Sequence, residues 1–286
     1  MRHFILYNPL AGHGDCNVKL AKLKSFLDGE CVECDITKND NYSELVSELA
    51  SDDDIIISGG DGTINRFVNA VDCDNLKNDV YYYASGSGND FMHDVEKNVG
   101  DAPFKINEYI VNLPTVSVNG NTYRFINGIG YGIDGYACDV GDKLKLKNKK
   151  VNYTAIAIKG LLYDYNPTNA TIIVDGERYE YKKVWIAPTM NGRFYGGGVM
   201  PAPDQKRLGS DEVSVMALHG TGRLKTLSMF PSLFKGEHVN RKKNIFIKKG
   251  REITVKFDRP TALQIDGETV LDVTEYTVYS KSMAKV

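Results

Sequence analysis

The sequence DDDIIISGGDGTINRFV occupies residues 52–68 and organises the first half of the chain. Its three isoleucines, Ile55–Ile57, stand between polar residues, which predicts a short strand buried on both faces. Apolar residues then return at helical spacing, beginning with Phe67 and Val68. The glycines between these two patterns therefore lie in a strand-to-helix turn, the position where open α/β sheets bind their ligands.

The chemistry of this turn suits a phosphate group. Gly59, Gly60 and Gly62 allow a bulky anion to approach the main chain, and the following helix directs free N–H groups and a positive dipole end at the turn. Asp61 is the exception, because a carboxylate repels phosphates unless a cation lies between them. We therefore predict that Asp61 holds Mg²⁺ bridging to a nucleotide. The alternative is a tight turn in which Asp61 caps the helix.

Two further glycine-rich segments also follow predicted strands. NPLAGHG, residues 8–14, follows the predicted strand Phe4–Tyr7, and SGSGNDF, residues 85–91, follows the predicted strand Val80–Ala84. Another strand is predicted from Cys31 to Thr37. Because the turns all lie at strand ends of one α/β unit, we expect them to build a single nucleotide cleft.

The composition is that of an ordinary globular protein. The chain has 286 residues, with 42% hydrophobic and 25% charged residues. A net charge of −2 gives no indication of a nucleic-acid partner, and no apolar run reaches the length of a membrane span. Five cysteines without the spacing of a disulfide framework favour a reducing, cytoplasmic location. Asn8-Pro9 comes too early for the preceding residues to form a signal peptide.

The pattern changes from about residue 111 onward. Short alternating strands, among them Lys183–Ala187 and Ile253–Phe257, are now separated by turns such as Asn119-Gly120 and Asp175-Gly176. We therefore predict an α/β domain over residues 1–111 and an antiparallel β-rich domain over residues 112–286. In an alternative arrangement, the C-terminal tail returns to the first domain. The cleft between the domains is the expected active site.

A pair of carboxylates occurs near the end of the chain. Asp266 and Glu268 flank Gly267, and a turn at this glycine can aim both side chains at one point. The alternative interpretation is a simple β-hairpin turn.

These motifs together resemble a known family. GGDGT at residues 59–63 resembles the signature shared by diacylglycerol kinases, sphingosine and ceramide kinases, NAD kinases and, more loosely, phosphofructokinases. NPLAG at residues 8–12 is similar to the NPxxG opening of lipid kinases, which NAD kinases lack. SGSGNDF resembles the lipid-kinase segment GTxNDFA, with Ser87 in place of the threonine. The resemblance implies an α/β nucleotide-binding domain of the NAD kinase/diacylglycerol kinase type and an antiparallel β-rich, β-sandwich-like second domain.

The resemblance also assigns roles to individual residues. It implies ATP binding by Asn8, Pro9, Leu10, Ala11, Gly12, Thr37, Gly59, Gly60, Asp61, Gly62, Thr63, Ile64, Asn65 and Ser87. It places the catalytic base at Asp266 or Glu268, with Asp61 orienting Mg²⁺. Bacterial members hold Mg²⁺ near positions that match Leu208, Asp211 and Val213. Glu212 departs from the family pattern, in which a glycine usually follows the aspartate.

A fourth glycine-rich segment, Gly128–Asp134, resembles the segment that begins the lipid-side domain of the family. The alternative is a separate nucleotide loop. We disfavour this alternative because nothing after the segment is typical of a dinucleotide-binding helix.

The function that the resemblance implies is that of an ATP-dependent lipid kinase, with diacylglycerol as the expected acceptor and phosphatidic acid as the product. The alternatives are an NAD kinase, which NPLAG and the Asp266 loop disfavour, and an inactive nucleotide- or lipid-binding regulator. The expected partners are ATP, Mg²⁺ and a lipid at a membrane surface, without nucleic acid, and a homodimer is left open. The expected location is the cytoplasm, peripheral on the inner face of the membrane.

Two basic segments are candidates for contact with that membrane. Lys143–Lys150 precedes the aromatic stretch Tyr153–Tyr165, and Gly222–Lys243 combines apolar with basic residues. The alternatives are a solvated surface helix for the first segment and a core-packed connection for the second.

Overall fold

A computed structural model describes residues 2–9, 15–38, 41–86 and 88–283 of the chain. The chain divides into two units, Met1–Leu113 and Pro114–Val286, and each is described by itself. The boundary predicted from the sequence, between residues 111 and 112, lies close by.

The first unit alternates strands and helices. Its strands are β1 (Arg2–Tyr7), β2 (Glu30–Asp35), β3 (Asp54–Gly59), β4 (Val80–Ala84) and β5 (Phe104–Lys105). Its helices are α1 (Cys16–Lys24), α2 (Tyr42–Ser47), α3 (Asp61–Ala70), α4 (Asp90–Asp94) and α5 (Asn107–Ile110). In the described residues the strands form one sheet in the order β2-β1-β3-β4-β5. Strands β1 to β4 are parallel, and β5 is antiparallel to β4.

The predicted strand Ile55–Ile57 lies within β3, at the centre of this sheet. Its side chains are at most 1% exposed, as expected for a strand that is covered on both faces. In α3, which begins directly after the glycine turn, Phe67 and Val68 are completely buried. The helical spacing of the apolar residues therefore predicted the buried face of α3 correctly.

Strand β2 ends two residues before the predicted end at Thr37. The main-chain N–H and the hydroxyl group of Thr37 both donate to Asp35 Oδ1, at 2.9 and 2.6 Å. This Asx turn ends the strand and leaves Thr37 exposed just beyond it.

The second unit consists mainly of antiparallel strands. These are β6 (Thr115–Val118), β7 (Asn121–Arg124), β8 (Gly128–Tyr131), β9 (Thr168–Val174), β10 (Glu177–Val184), β11 (Thr189–Met190), β12 (Val213–Leu218), β13 (Ile245–Gly250), β14 (Glu252–Ile265) and β15 (Glu268–Tyr279). The helices are α6 (Ile133–Lys145), α7 (Tyr153–Lys159) and α8 (Arg223–Phe234), with a π-helical turn over Gly160–Asp164 and a 3₁₀ helix over Glu237–Asn240. Among the residues described, the sheet follows the order β13-β12-β11-β8-β14-β15-β6-β7, and β9 pairs with β10 and β14.

Three hairpins of this unit turn at an Asn-Gly or Asp-Gly pair, namely Asn119-Gly120, Asp175-Gly176 and Asp266-Gly267. Both residues of each pair have positive φ angles, between +46° and +97°. Asn, Asp and Gly tolerate these left-handed values, and two-residue hairpin turns require them. The structure thus confirms the predicted hairpins at residues 119 and 175, and it shows the same geometry at Asp266.

Strand β14 is much longer than the predicted strand Ile253–Phe257. That part pairs with β9, whereas Leu263–Ile265 pairs with β8. The register against β15 shifts between the two parts, next to Pro260, which has no N–H for a ladder bond. The strand thereby changes neighbour and ends at the carboxylate pair.

Two regions of this unit bear on the predictions from the sequence. A helix, α6, does follow the glycine-rich segment Gly128–Asp134. Strand β8 before it is antiparallel to its neighbours, however, so the pair does not form a dinucleotide-binding βαβ unit. The strand predicted at Lys183–Ala187 is instead the end of β10, which stops at Val184 after an irregularity in its pairing.

Candidate active site

The predicted nucleotide residues of the first unit lie at one edge of its sheet. Strands β1 to β4 are parallel, so their carboxyl ends share this edge, and Asn8, Thr37 and Gly59 are each at or just beyond one of those ends. Pro9 follows Asn8. Leu10, Ala11, Gly12 and Ser87 lie outside the described residues.

The turns that follow β3 and β4 are in main-chain contact. The N–H groups of Ser85 and Gly86 both donate to the carbonyl oxygen of Gly59, at 2.9 and 3.1 Å. A Cβ atom placed on Gly86 would lie 2.5 Å from the Cα atom of Gly60. Only glycine fits at position 86, because the two turns are packed backbone against backbone. Two of the predicted turns are therefore parts of one surface.

The remaining predicted nucleotide residues of this segment, at positions 62–65, differ in burial. A Cβ atom on Gly62 would meet no atom of the described residues within 4 Å. Thr63 and Asn65 are each 6% exposed, and Ile64 is completely buried. Any contact of Ile64 with a nucleotide would therefore come from its main chain.

Asp61 connects the glycine turn to the next helix. Its Oδ2 accepts a hydrogen bond from the N–H of Asp90 at 2.9 Å, and its Oδ1 accepts one from the N–H of Phe91 at 3.1 Å. The carboxylate therefore lies at the N-terminus of α4 as well as in the first turn of α3. A carboxylate has about four acceptor positions, so its oxygens fit a role as hard ligands for Mg²⁺.

Lys19 is a cation of this edge that the sequence motifs did not reveal. Its Nζ donates to the carbonyl oxygen of Ser85 at 2.8 Å, which brings a positive charge from α1 to the turn after β4. Such a charge suits nucleotide phosphates. Nothing in the local sequence marks Lys19, since no motif includes it.

In the second unit, Asp266 anchors the turn between β14 and β15. Its carboxylate accepts hydrogen bonds from the N–H groups of Ile126, Asn127 and Gly128, at 2.6, 2.9 and 2.9 Å. Its own N–H donates to the carbonyl oxygen of Gly128 at 3.1 Å. Glu268, by contrast, is an exposed residue at the start of β15. The two carboxylates of the pair therefore have different environments.

The segment that binds Asp266 is also held by a buried arginine. Arg207 is 6% exposed, and its guanidinium donates to the carbonyl oxygen of Ile126 and, at 2.8 Å, to Asn127 Oδ1. Asn191 Nδ2 donates to the same carbonyl oxygen at 2.9 Å. Sequence reasoning missed Arg207, because an arginine within a loop gives no sign of burial.

Helix α6 carries further carboxylates of this unit, among them Asp134 and Asp142. Burial, followed by the charges of Asp134, Asp142 and Glu268, raises the pKa of the Cys138 thiol to about 12. Burial also raises the pKa of Asp134 to about 6, although the hydroxyl group of Tyr195 donates to this carboxylate at 2.8 Å. Asp134 Oδ1 is buried without a hydrogen-bond partner among the described residues. Asp134 is therefore a buried carboxyl group that titrates near pH 6.

The residues predicted to hold a metal do not fit that role. Asp211 accepts hydrogen bonds from the N–H and hydroxyl groups of Ser282, and Arg251 Nε lies 3.4 Å from it. Burial opposes the shift, but these hydrogen bonds lower the pKa of Asp211 below its ordinary value. Leu208 is half-buried and Val213 lies inside β12. The positive charge of Arg251 beside this carboxylate opposes binding of Mg²⁺ there.

Two features are absent from the described residues. No group of three or more His, Cys, Asp or Glu side chains in that part of the chain is arranged to hold a metal ion. None of the helices in the same residues is both long enough and apolar enough to cross a membrane.

Two families match this chain in sequence. The family described as diacylglycerol kinase catalytic domain matches residues 2–115, which include the glycine turns. The family described as YegS C-terminal NAD kinase beta sandwich-like domain matches residues 127–279, which include Asp266 and Glu268.

Individual proteins show the same similarity over nearly the full chain. The "Putative lipid kinase" of Staphylococcus aureus strain Newman is 26% identical over 296 positions, covering 94% of this chain and 90% of the relative. A solved structure described as a "putative diacylglycerol kinase from Bacillus anthracis str. Sterne" covers 98% of this chain and 91% of its own, with a TM-score of 0.68 at 21% identity. At that identity the structural similarity shows the fold alone.

Proposed function

The chain belongs to the diacylglycerol kinase-like family, because residues 2–115 and 127–279 match its catalytic and C-terminal domain families, and we propose that it transfers a phosphoryl group from ATP to a lipid hydroxyl. Diacylglycerol is the proposed acceptor and phosphatidic acid the product. The protein would meet this lipid peripherally, at the inner face of a membrane.

The first unit would bind the nucleotide. The contact between the turns at Gly60 and Gly86 supports this role, because it creates a surface of main chain without side chains. The N-terminus of α3 offers N–H groups to phosphate, and Lys19 adds a positive charge. Mg²⁺ bound with ATP would neutralise phosphate charge, and the carboxylate of Asp61 would hold it.

The second unit would supply the general base, and we assign this role to Glu268. The assignment rests on the three hydrogen bonds that the carboxylate of Asp266 accepts from main-chain N–H groups. A carboxylate engaged in this way is stabilised as an anion and is a weak base. Asp266 would therefore position the turn, while the exposed Glu268 accepts the proton of the lipid hydroxyl.

The test is a transfer assay with purified protein and labelled ATP. Diacylglycerol, monoacylglycerol, sphingosine and NAD are offered separately, and the labelled product is identified. Labelled phosphatidic acid supports the proposal, and label in another lipid corrects the acceptor. Labelled NADP favours an NAD kinase. ATP binding without transfer to any acceptor favours an inactive regulator.

A further inference from the structure

We propose that one surface of the second unit docks on an anionic lipid bilayer. The docking surface consists of the end of α6, α7, the π-helical turn Gly160–Asp164 and the start of α8. The proposal rests on the proposed function, since a lipid acceptor resides in a membrane, and it names the part of the protein that reaches this acceptor.

Large apolar side chains are exposed on each of these elements. Leu146 is 85% exposed, Tyr163 is 73% exposed and Leu224 is 78% exposed. Tyr153, at the start of α7, is 40% exposed. Tyrosine and leucine are residues that enter the boundary between lipid headgroups and acyl chains. Their exposure on adjacent elements indicates an apolar surface that needs a partner.

The elements form one continuous layer. Lys145 Nζ lies 5.6 Å from the centre of the Tyr153 ring, which joins the end of α6 to α7. The guanidinium of Arg223, at the start of α8, donates to the carbonyl oxygens of Leu161 and Tyr165 at 2.8 and 2.9 Å. The elements that carry the exposed side chains are therefore neighbours in this unit.

The charge of this face indicates which partner it binds. Residues 143–164 contain six lysines and one acidic residue, Asp164, although the whole chain has a net charge of −2. Lys143, Lys145 and Lys159 pair with aspartates. The other three, at positions 147, 149 and 150, are exposed and form no ion pair with the described residues. Anionic headgroups complement this charge, whereas a second copy of the same basic surface would repel it.

The rest of the segment Gly222–Lys243 is excluded from the docking surface. Met229 and Leu233 are at most 1% exposed, so the far part of α8 packs into its own unit. Arg241, Lys242 and Lys243 follow the opposite end of the helix, which has 12 residues and is therefore about 18 Å long. These three exposed basic residues provide a matched control.

The experiment is sedimentation of the full chain with phosphatidylcholine vesicles that contain an increasing proportion of phosphatidylglycerol. The test variant carries Lys147→Glu, Lys149→Glu and Lys150→Glu. The control carries Arg241→Glu, Lys242→Glu and Lys243→Glu, which changes the net charge equally. A third variant carries Tyr163→Ser and Leu224→Ser. Thermal unfolding of each variant checks that it folds.

We expect the parent protein to bind only vesicles with phosphatidylglycerol and to dissociate as salt rises. The test variant should lose at least about 100-fold in vesicle affinity, at about fivefold for each lysine near an anionic surface. The control should bind vesicles like the parent, and the third variant should bind them more weakly than the parent. Parent-like binding by a folded test variant, or equal losses in test and control, would overturn the proposal, as would parent binding indifferent to phosphatidylglycerol.

Kinase assays separate this inference from the proposed function. All variants should phosphorylate a short-chain diacylglycerol dissolved as monomers at the parent rate, because no substituted residue belongs to the proposed catalytic machinery. If the parent binds anionic vesicles and the test variant does not, the docking surface stands even when no lipid is phosphorylated. If lipid is phosphorylated but the test variant still binds vesicles, only the docking surface fails.

Discussion

Arg207 and Asp266 bind the same short segment of main chain through opposite groups. Asp266 accepts from the N–H groups of residues 126–128, and Arg207 donates to the carbonyl oxygen of Ile126 and to the side chain of Asn127. Hydrogen bonds therefore hold this segment through its N–H groups and also through its oxygen atoms. The turn that carries Glu268 is attached to it through Asp266, so Arg207 acts on Glu268 indirectly as a positioning residue.

Replacement of Arg207 should therefore impair catalysis without affecting nucleotide binding. Arg207→Lys keeps the positive charge but removes the planar guanidinium group, which donates to two acceptors at once. We expect a loss of about 1–3 kcal/mol in stability and up to about 100-fold in turnover through misplacement of the base. ATP affinity should stay unchanged. Arg178→Lys, at an exposed arginine, is the control, and parent-like turnover of Arg207→Lys would refute the positioning role.

The two carboxylates of the turn should respond differently to neutralisation. Glu268→Gln should lower turnover by about 10²–10⁴-fold with little change in unfolding temperature, because Glu268 is exposed. Asp266→Asn should destabilise the protein by about 2 kcal/mol or more, because an amide cannot accept from all three N–H groups. Both variants should bind ATP normally.

Their pH–rate profiles provide a second readout. Only Glu268→Gln should lose the acidic limb that a general base produces. If both variants turn over like the parent, or if both lose ATP binding, the base does not lie in this pair.

Asp61→Asn should nearly abolish turnover while the fold remains intact. The amide retains one oxygen for the N–H groups of Asp90 and Phe91, so the loss of stability should be about 1 kcal/mol. Loss of the charge should weaken binding of Mg²⁺ with ATP, which a titration of nucleotide affinity against magnesium detects. If lipid is still phosphorylated at close to the parent rate, Asp61 serves only to cap α4.

Gly86→Ala should disrupt the nucleotide surface. The added methyl group would lie 2.5 Å from the Cα atom of Gly60, so the two turns must separate, at a cost of about 1–3 kcal/mol. We expect ATP affinity to fall together with stability. Gly62→Ala is the matched variant, because its methyl group meets no described atom within 4 Å. It should fold normally and lower ATP affinity only if nucleotide contacts that position.

Asp134 should make stability depend on pH in the direction opposite to most carboxylates. Its pKa is raised to about 6 by burial, so the folded state retains the proton more strongly than the unfolded state. Stability should therefore fall as pH rises from about 4 through 6. Asp134→Asn keeps an acceptor for Tyr195 and should be more stable than the parent by roughly 2–3 kcal/mol at pH 7, but not at pH 4. Equal differences at both pH values would exclude this account.

Local signals in the sequence determined the organisation of the first unit. The isoleucine run, the glycines after it and the helical spacing of Phe67 and Val68 identified β3, the turn and α3, because burial and φ requirements act on adjacent residues. The same applies to the hairpins at Asn119 and Asp175, where the turn residues themselves require left-handed angles.

Strand bounds were less predictable. The length of β14 depends on a change of neighbour near Pro260, and the end of β10 depends on an irregular pairing with β9. Neither the neighbour nor the register is specified by the residues of one strand.

For the candidate site, the sequence alone determined which segments carry the turns and the carboxylate pair, since their residue types and order form motifs. Only the tertiary structure decided the role of each side chain. It showed that Asp266 is engaged by three N–H groups while Glu268 is exposed, and that Arg207, 59 positions away from Asp266 in the sequence, binds the same segment. The physical reason is that hydrogen bonding and burial, which determine basicity and position, come from residues distant in the chain.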